Sequence, residues 1–259
     1  MKNTIITIIT SLSLVACAHA ATVLEVVAAT AHNGGNWTTT LGHISDSVNG
    51  NGSNGLGTAD HTPGMDISAD PNDPSTWTNT ASPGNWNQEW LANGRLDSTT
   101  SANNKIGYFI VDFGASIANL QNMYLWAGRH NTGTDEDMRN YNLYYSNGVG
   151  IDALPTMPNS KSWANGSQAA ADYVFGNGDW SLITNQTLGS PSDPWGVDQT
   201  VALGSITARY IGIEILTAGN ADPTDRVGFA QVEFTAIPEP SAVLLGGLGA
   251  LLLLRRRRG

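Results

Sequence analysis

The feature that most constrains the fold is a set of short segments in which apolar residues alternate with polar or small ones. Residues 209–215, for example, read Arg-Tyr-Ile-Gly-Ile-Glu-Ile, so isoleucine stands at alternate positions. This period of two is typical of a β-strand, because successive side chains point to opposite faces. No long segment of the region 21–236 has the 3.6-residue period of an amphipathic helix. The sequence therefore predicts an all-β fold, with strands at residues 22–30, 106–113, 120–126, 141–145, 180–183, 198–203, 208–216 and 228–235.

Two stretches between these segments, residues 33–104 and 150–179, are dense in residues that favour turns. We interpret them as long loops, with room for a short helix at residues 169–174. Apolar residues make up 41% of the chain and include eight tryptophans, which is enough side chain to fill a core. The composition therefore favours a folded β-domain over a disordered chain.

The first 20 residues have the pattern of a secretory signal peptide. Lys2 supplies the positive start, residues 5–15 are apolar, and Ala18-His19-Ala20 form a cleavage site of small residues. Cleavage there removes Cys17, the only cysteine, so the exported chain has no disulfide framework. Residues 14–17 (Leu-Val-Ala-Cys) also fit a lipobox, in which Cys17 is lipidated, and this alternative stays open.

The other end of the chain has the pattern of a short membrane segment. Residues 237–241 read Ile-Pro-Glu-Pro-Ser, and the apolar residues 242–254 lead into four arginines at 255–258. Thirteen residues of helix span roughly 20 Å at about 1.5 Å per residue, less than the roughly 30 Å of a hydrocarbon core. Clustered arginines stay on the cytoplasmic side. The segment therefore predicts a temporary stop in the membrane rather than a permanent anchor.

This tail resembles the PEP-CTERM sorting signal of Gram-negative bacteria. The motif residues are Pro238, Glu239 and Pro240, and the terminal cluster is Arg255, Arg256, Arg257 and Arg258. The resemblance implies transient anchoring in the inner membrane, recognition by an exosortase, and a final place at the cell surface or in the extracellular matrix. It divides the chain into a signal peptide (1–20), one domain (21–236) and a sorting tail (237–259).

The charge balance excludes some partners. With both ends set aside, seven basic and 21 acidic residues remain, a formal charge of about −14. Nucleic acids and anionic lipids need a basic surface, so the sequence argues against both as partners.

The order of four strand segments carries a second resemblance. Residues 108–114 (Tyr-Phe-Ile-Val-Asp-Phe-Gly) are followed by 139–146 (Arg-Asn-Tyr-Asn-Leu-Tyr-Tyr-Ser), by 208–215 (Ala-Arg-Tyr-Ile-Gly-Ile-Glu-Ile) and by 227–234 (Val-Gly-Phe-Ala-Gln-Val-Glu-Phe). Over residues 104–235 the chain resembles the discoidin, or coagulation factor 5/8 type C, family. The resemblance implies a galactose-binding-like jelly-roll β-sandwich.

Members of that family often hold a calcium ion between an N-terminal loop and the last strand. On this chain the resemblance places the ion near Asp46 and Gln231, where the family commonly has glutamate at the second position. Glutamine still offers a neutral carbonyl oxygen, a ligand type that calcium accepts, but one charge is lost. The alternative is that Asp46 only stabilises a turn.

Family members also bind carbohydrates through loops at one end of the sandwich. Sugar recognition needs an aromatic face and hydrogen-bonding groups. Arg129, His130 and Asn131 follow a predicted strand and supply donors, and Trp86 is the candidate aromatic face. The alternative is that such tryptophans fill the core or plug loops.

The sequence contains none of the catalytic motifs that mark zinc hydrolases, serine hydrolases or P-loop proteins. We therefore predict a non-enzymatic, exported protein that binds a polysaccharide or surface glycan. A purely structural matrix protein and a polysaccharide-degrading enzyme are the alternatives.

Overall fold

The computed structural model describes residues 22–24, 26–32, 65–66, 78–79, 90–92, 105–127, 137–154, 172–189, 197–219, 227–229 and 231–237. The strands within them are β1 (Thr22–Val23), β2 (Ala28–Ala31), β3 (Met65–Asp66), β4 (Thr78–Asn79), β5 (Trp90–Ala92), β6 (Gly107–Trp126), β7 (Asn140–Ser146), β8 (Ser181–Thr187), β9 (Gln199–Ile215), β10 (Val227–Phe229) and β11 (Gln231–Ala236). All paired strands are antiparallel. The prediction of a mainly β, antiparallel fold is therefore confirmed for the described part of the chain.

Two long strands, β6 and β9, form the centre of the main sheet. Its order is β1-β11-β6-β9-β7-β8, and β2 also pairs with β6. The sequence predicted two strands in each of these regions, at 106–113 and 120–126 in one and at 198–203 and 208–216 in the other. The structure instead keeps one ladder through each break, from the pair Gly107↔Ile215 to the pair Leu125↔Gln199. That prediction was wrong because the chain passes the breaks by bulges rather than by loops.

The bulges fold the β6–β9 pair back on itself. The register shifts three times between Asp112 and Asn122. Asn119 (φ 57°) and Ser205 (φ 60°) have left-handed backbone conformations there, as do Gly114 (φ 76°) and Gly204 (φ 74°). Bulges of this kind increase the local bend and twist of a strand. We call residues 113–121 and 203–209 together the bend.

The bend divides the sheet into two layers. The first consists of β2, the first half of β6, the second half of β9, β7 and β8. The second consists of β1, β11, the second half of β6 and the first half of β9.

The main hydrophobic core lies between the layers. Phe109 and Val111 of the first layer share one buried cluster with Met123 and Leu125 of the second. Phe113 packs edge-on against Phe234, with ring centroids 5.3 Å apart. The described strands therefore pack face to face as a β-sandwich, as the sequence predicted.

The outer face of the first layer is also buried, which the alternating pattern did not predict. Tyr108, Ile110 and Tyr210 pack there against aromatic residues of the segment 172–180. We call this segment the cover. Of the helix expected at residues 169–174, the described residues 172–174 are not helical. Because the cover lies over β6 and β9, these strands are buried on both faces rather than one.

Several predictions lie outside the described residues. They concern the signal peptide (1–20), the sorting motif and arginine cluster (238–258), Asp46, Trp86 and the three residues Arg129, His130 and Asn131. Within the described ranges, no helix has the length and apolar character needed to cross a membrane.

Candidate functional site

The strand ends gather opposite the bend. Strand β6 begins at Gly107 and ends at Trp126, and β9 begins at Gln199 and ends at Ile215. Because both strands fold back at the bend, all four of these ends lie on the same side of the molecule. Strand pairing brings three further ends there, those of β7 at Asn140, of β8 at Thr187 and of β11 at Gln231. We call this side of the sandwich the open end.

Hydrogen bonds connect the two layers at the open end. The hydroxyl of Tyr141, in the first layer, donates to Oε1 of Gln199, in the second layer, at 2.7 Å. The amide Nε2 of Gln199 donates to Oε1 of Gln186 at 2.9 Å. Burial raises the pKa of Tyr141, so its hydroxyl remains a proton donor at neutral pH. These bonds hold the strand ends in a fixed arrangement beneath the loops.

The predicted ligand loop begins and ends at the open end. On one side, the N–H of Ala127 donates to Oδ2 of Asp198 at 2.7 Å. On the other, the N–H of Met138 donates to the carbonyl of Gly228 at 3.0 Å, and Gly219 donates to the carbonyl of Asp137 at 2.8 Å. Residues 128–136 between these anchors include Arg129, His130 and Asn131, which are not among the described residues.

Asp137, at the second anchor of this loop, is only 2% exposed although it lies in a polar stretch of the sequence. It is buried because it forms a β-bridge with Gly228, which precedes the last strand. The second anchor of the loop is therefore part of the folded core, not of the surface.

Trp86 itself is not described, but the strand that follows it is. Strand β5 begins at Trp90, four residues further on, and Trp90 is the partner of Phe229 in the β5–β10 pair. Phe229 packs edge-on against Phe109 at 5.0 Å, near the start of β6. The chain that leaves Trp86 thus arrives at the open end.

Gln231, the predicted metal ligand on the last strand, is fully buried at the open end. Its Nε2 donates to Oε1 of Glu233 at 2.8 Å. Its own carbonyl oxygen, Oε1, has no hydrogen-bond partner among the described residues. A buried acceptor left unpaired costs about 1–3 kcal/mol, so this oxygen is available to a donor or a cation.

Glu233 was missed as part of this site. It is 1% exposed and lies two residues from Gln231, on the same face of β11. The sequence signal was the alternation of Gln231 and Glu233 with core residues, which we interpreted as an outward polar face. Gln231 lacks the negative charge of the glutamate that the family commonly has at this position, and Glu233 supplies a carboxylate beside it.

A second group of charged side chains lies under the cover, on the outer face of the first layer. The Nζ of Lys105 is 2.8 Å from Oδ1 of Asp172 and 3.7 Å from Oε1 of Glu214. It also donates a hydrogen bond to the carbonyl of Tyr173. Lys105 and Glu214 are fully buried, and the side chain of Asp172 is 24% exposed. We call Lys105, Asp172 and Glu214 the buried charge cluster.

Neighbouring side chains hold Glu214 in place. Asn142 Nδ2 and the Tyr144 hydroxyl donate to its Oε2 at 2.8 and 3.1 Å. Burial, together with the charge of Glu214, raises the pKa of Tyr144. Burial and the nearby Asp172 carboxylate likewise raise the pKa of Tyr108. Both phenols therefore remain neutral donors at physiological pH.

Aromatic rings shield the buried charge cluster from water. Lys105 Nζ lies 5.6 Å from the ring centroid of Phe175. Phe175 stacks on Tyr144 at 5.0 Å and contacts Trp180 edge-on at 5.1 Å. The sequence did not predict this cluster, because Asp172 and Phe175 lie in a stretch that reads as loop. The aromatic residues at positions 173, 175 and 180 were the available signal.

The described side chains do not by themselves form a metal-binding group of three or more histidine, cysteine, aspartate or glutamate residues.

No protein-family model matches the sequence, and no curated protein is significantly similar to it. Solved structures give matches of low identity. A family 32 carbohydrate-binding module of NanJ from C. perfringens, solved with galactose, is 14% identical, with a TM-score of 0.35 over 59% of this chain and 79% of that one. A CBM32 module of CpGH89 from Clostridium perfringens, solved with GalNAc-β-1,3-galactose, is 10% identical, with a TM-score of 0.36 over 80% and 93% of the two chains.

An F5/8 type C domain from Bacteroides fragilis is 12% identical, with a TM-score of 0.36 over 61% of this chain and 77% of that one.

Proposed function

We propose that this chain is an exported, non-enzymatic protein whose discoidin-like β-sandwich binds a polysaccharide or surface glycan at its open end. The observation that supports this most is that described residues flanking both sequence candidates lie at the same end of the sandwich. The loop with Arg129, His130 and Asn131 is anchored at the open end through Ala127 and Asp137, and the chain following Trp86 reaches the same end through β5.

The chemistry of this end suits a sugar. An indole ring packs against the apolar face of a pyranose, and guanidinium, imidazole and amide groups bond its hydroxyls. The described part adds Gln186 and Gln199 at the ends of β8 and β9. Such contacts are shallow, so we expect a single site to bind with about 4–8 kcal/mol, a micromolar to millimolar Kd. Display of many copies on a surface would raise the apparent affinity.

Retention on immobilised polysaccharides tests the site. We expect Trp86→Ala and Arg129→Ala each to reduce retention at least roughly fivefold, since each removes about 1 kcal/mol or more of contact. Arg209→Ala is the matched control, because Arg209 pairs with Asp112 at the bend, away from the open end. If both site variants are retained like the wild type, the ligand binds elsewhere. If the wild type binds no polysaccharide, the protein has a structural role. If incubation with a polysaccharide releases reducing sugar, the protein is an enzyme.

We also propose a calcium ion between Asp46 and Gln231. The unpaired Oε1 of Gln231 and the adjacent carboxylate of Glu233 supply a neutral oxygen and a negative charge. The chain leaves β2 at His32, whose N–H donates to the carbonyl of Tyr108 beside the open end, and so starts towards Asp46 from that side. When bound, calcium would fix the loop that contains Asp46 against the last strand.

Thermal unfolding with millimolar calcium and with chelator tests this ion. A ligand of the native state stabilises it by RT ln(1 + [L]/Kd), so calcium should raise Tm. Asp46→Ala should abolish the shift and Gln231→Glu should enlarge it. Identical melting curves in calcium and in chelator would leave Asp46 as a turn residue.

We further propose that the PEP-CTERM-like tail directs the sorting of the exported protein by an exosortase. Replacement of Arg255, Arg256, Arg257 and Arg258 by asparagine removes the charges that hold the C-terminus inside. We expect this variant to be missorted, as measured by fractionation and by the mass of the processed chain. Unchanged processing and location would contradict the role of the tail.

A further inference from the structure

The buried charge cluster places a primary amine in contact with a carboxyl group inside the protein. Lys105 Nζ and Asp172 Oδ1 are 2.8 Å apart, and a second carboxylate, Glu214, has its Oε1 3.7 Å from the same nitrogen. We propose that Lys105 and Asp172 condense to an intramolecular amide bond, with Glu214 as the group that transfers protons between them.

The surroundings favour this reaction over a permanent ion pair. The amine and the carboxyl group are already in contact, and burying charged groups away from water is costly. Phe175, Tyr108 and Tyr173 line this part of the first layer and the cover. Condensation replaces the fully buried charge of Lys105 and the partly exposed charge of Asp172 by one neutral amide, and the water leaves on the exposed side of Asp172.

The reaction balances without any co-reactant. Glu214 takes a proton from the Lys105 ammonium and delivers it to the Asp172 carboxylate, which gives a neutral amine and a carboxylic acid. The amine nitrogen attacks Cγ of Asp172 and forms the C–N bond. The nitrogen loses a second proton, which Glu214 passes to the departing hydroxyl group, and the C–O bond breaks. An ammonium and a carboxylate thus become an amide and one water molecule, with Glu214 ionised again.

The fold holds the three groups in a reactive arrangement. Lys105 lies two residues before the start of β6. The N–H of the next residue, Ile106, donates to the carbonyl of Ile215 at 2.7 Å, which places Lys105 beside the end of β9. Glu214 is the strand partner of Tyr108 in the same pair. Asn142 and Tyr144 bond Oε2 of Glu214, while Oε1 is the oxygen nearest Lys105. Fixed proximity of this kind replaces a costly encounter between separate groups.

An amide here would give the domain a covalent cross-link that its sequence otherwise lacks. Cys17, within the predicted signal peptide, is the only cysteine of the chain. The bond would join the start of β6 to the cover and close a loop of 68 residues, from 105 to 172 inclusive. Of the two residues that this bond would join, Lys105 adjoins the predicted strand 106–113, whereas Asp172 lies in the predicted loop 150–179.

Peptide mapping of the full chain tests the proposal directly. Trypsin cuts an unmodified chain after Lys105, whereas an amide at this side chain blocks that cut. We expect residues 96–129 and 162–209 to remain joined as one branched species, with a mass lower than the sum of the two peptides by one water. This readout does not depend on how the termini are processed. A wild-type digest containing only linear peptides cut after Lys105 would overturn the proposal and leave an ion pair.

Variants separate the roles of the three residues. Lys105→Arg and Asp172→Ala should abolish the branched peptide, and Glu214→Gln should reduce its yield at least roughly tenfold in a chain whose circular dichroism is unchanged. Asp172→Asn should form the same product with loss of ammonia in place of water. Asp112→Asn is the matched control, since Asp112 is an ion-paired aspartate of β6 far from the cluster. A Glu214→Gln chain that is cross-linked as completely as the wild type would refute the part assigned to Glu214.

Discussion

At the scale of single residues, Gly212 shows how closely the cover packs on β9. A Cβ atom added at this position would lie 2.2 Å from Cε1 of Phe175, and Phe175 is itself held by its stack on Tyr144. Position 212 faces the cover, and only a glycine lets the Phe175 ring approach the strand this closely. The aromatic cluster therefore depends on the absence of a side chain as much as on the rings.

We predict that Gly212→Ala lowers the free energy of unfolding by about 2 kcal/mol, because the added methyl overpacks the contact with Phe175. Gly189→Ala is the matched control: Gly189 has no atom within 4 Å of an added Cβ and no positive φ. We expect it to change stability by less than about 0.5 kcal/mol. Denaturant unfolding measures both variants. Equal losses for the two would show that the cover does not pack on β9 as described.

Residue 214 illustrates what the sequence could and could not predict. The pattern of residues 209–215 correctly assigned Ile211, Ile213 and Ile215 to the core between the layers. It also predicted an exposed Glu214, yet the residue is fully buried. A period of two separates the faces of a strand but does not say what covers the second face. The cover comes from a stretch without periodicity, so its contact with Glu214 had no local signal.

At the scale of elements, the bend decides the architecture. Without it, β6 and β9 would continue straight within a single sheet layer, and their two halves could not bury a common core. Its left-handed residues are Gly114, Asn119, Gly204 and Ser205. Asp112 supports the bend by accepting the N–H of Gly114 at 2.7 Å and two guanidinium bonds from Arg209 at 2.8 and 2.9 Å.

We predict that Gly204→Ala destabilises the protein by about 1 kcal/mol for a purely backbone reason, since a Cβ disfavours the left-handed conformation. Gly204 has a φ of 74°, but an added Cβ there would meet no atom within 4 Å. The loss therefore contains no steric contribution from neighbours. Gly189→Ala again serves as control, because it differs from Gly204→Ala in backbone conformation and not in available space. No difference between these two variants would mean that the bend does not require its left-handed residues.

The bend also explains why strand boundaries were predicted only in part. Glycines at positions 114 and 204 mark the ends of alternating segments, and the prediction placed strand ends there. Hydrogen bonding continues past both positions, with Ile117 opposite Ala208 and Leu120 opposite Ile206. Whether a glycine ends a strand or bends it depends on the partner strand, and the partner is distant in sequence. The predicted segments were therefore correct in place and wrong in number.

At the scale of the whole molecule, the distribution of charge limits what the open end can bind. Three basic residues of the region 21–236 are described, and each has an internal partner: Lys105 has Asp172, Arg139 donates to the carbonyl of Leu188 at 3.2 Å, and Arg209 has Asp112. The region as a whole has a formal charge of about −14. The net negative charge would thus repel a polyanion, whereas a neutral glycan would not be repelled.

We therefore predict that binding to a neutral polysaccharide changes less than about twofold between roughly 50 and 500 mM salt, although the Debye length falls from about 14 Å to about 4 Å over this range. Hydrogen bonds and stacking at a sugar are short-range contacts, which mobile ions do not screen. Retention on an acidic polysaccharide should be absent at low salt in chelator. Calcium is the informative addition, because a bridging ion would permit acidic polymers to bind only when it is present. A tenfold loss of affinity for the neutral polymer at high salt would instead show that the binding is ionic. Arg129 would then act through its charge rather than through directed hydrogen bonds.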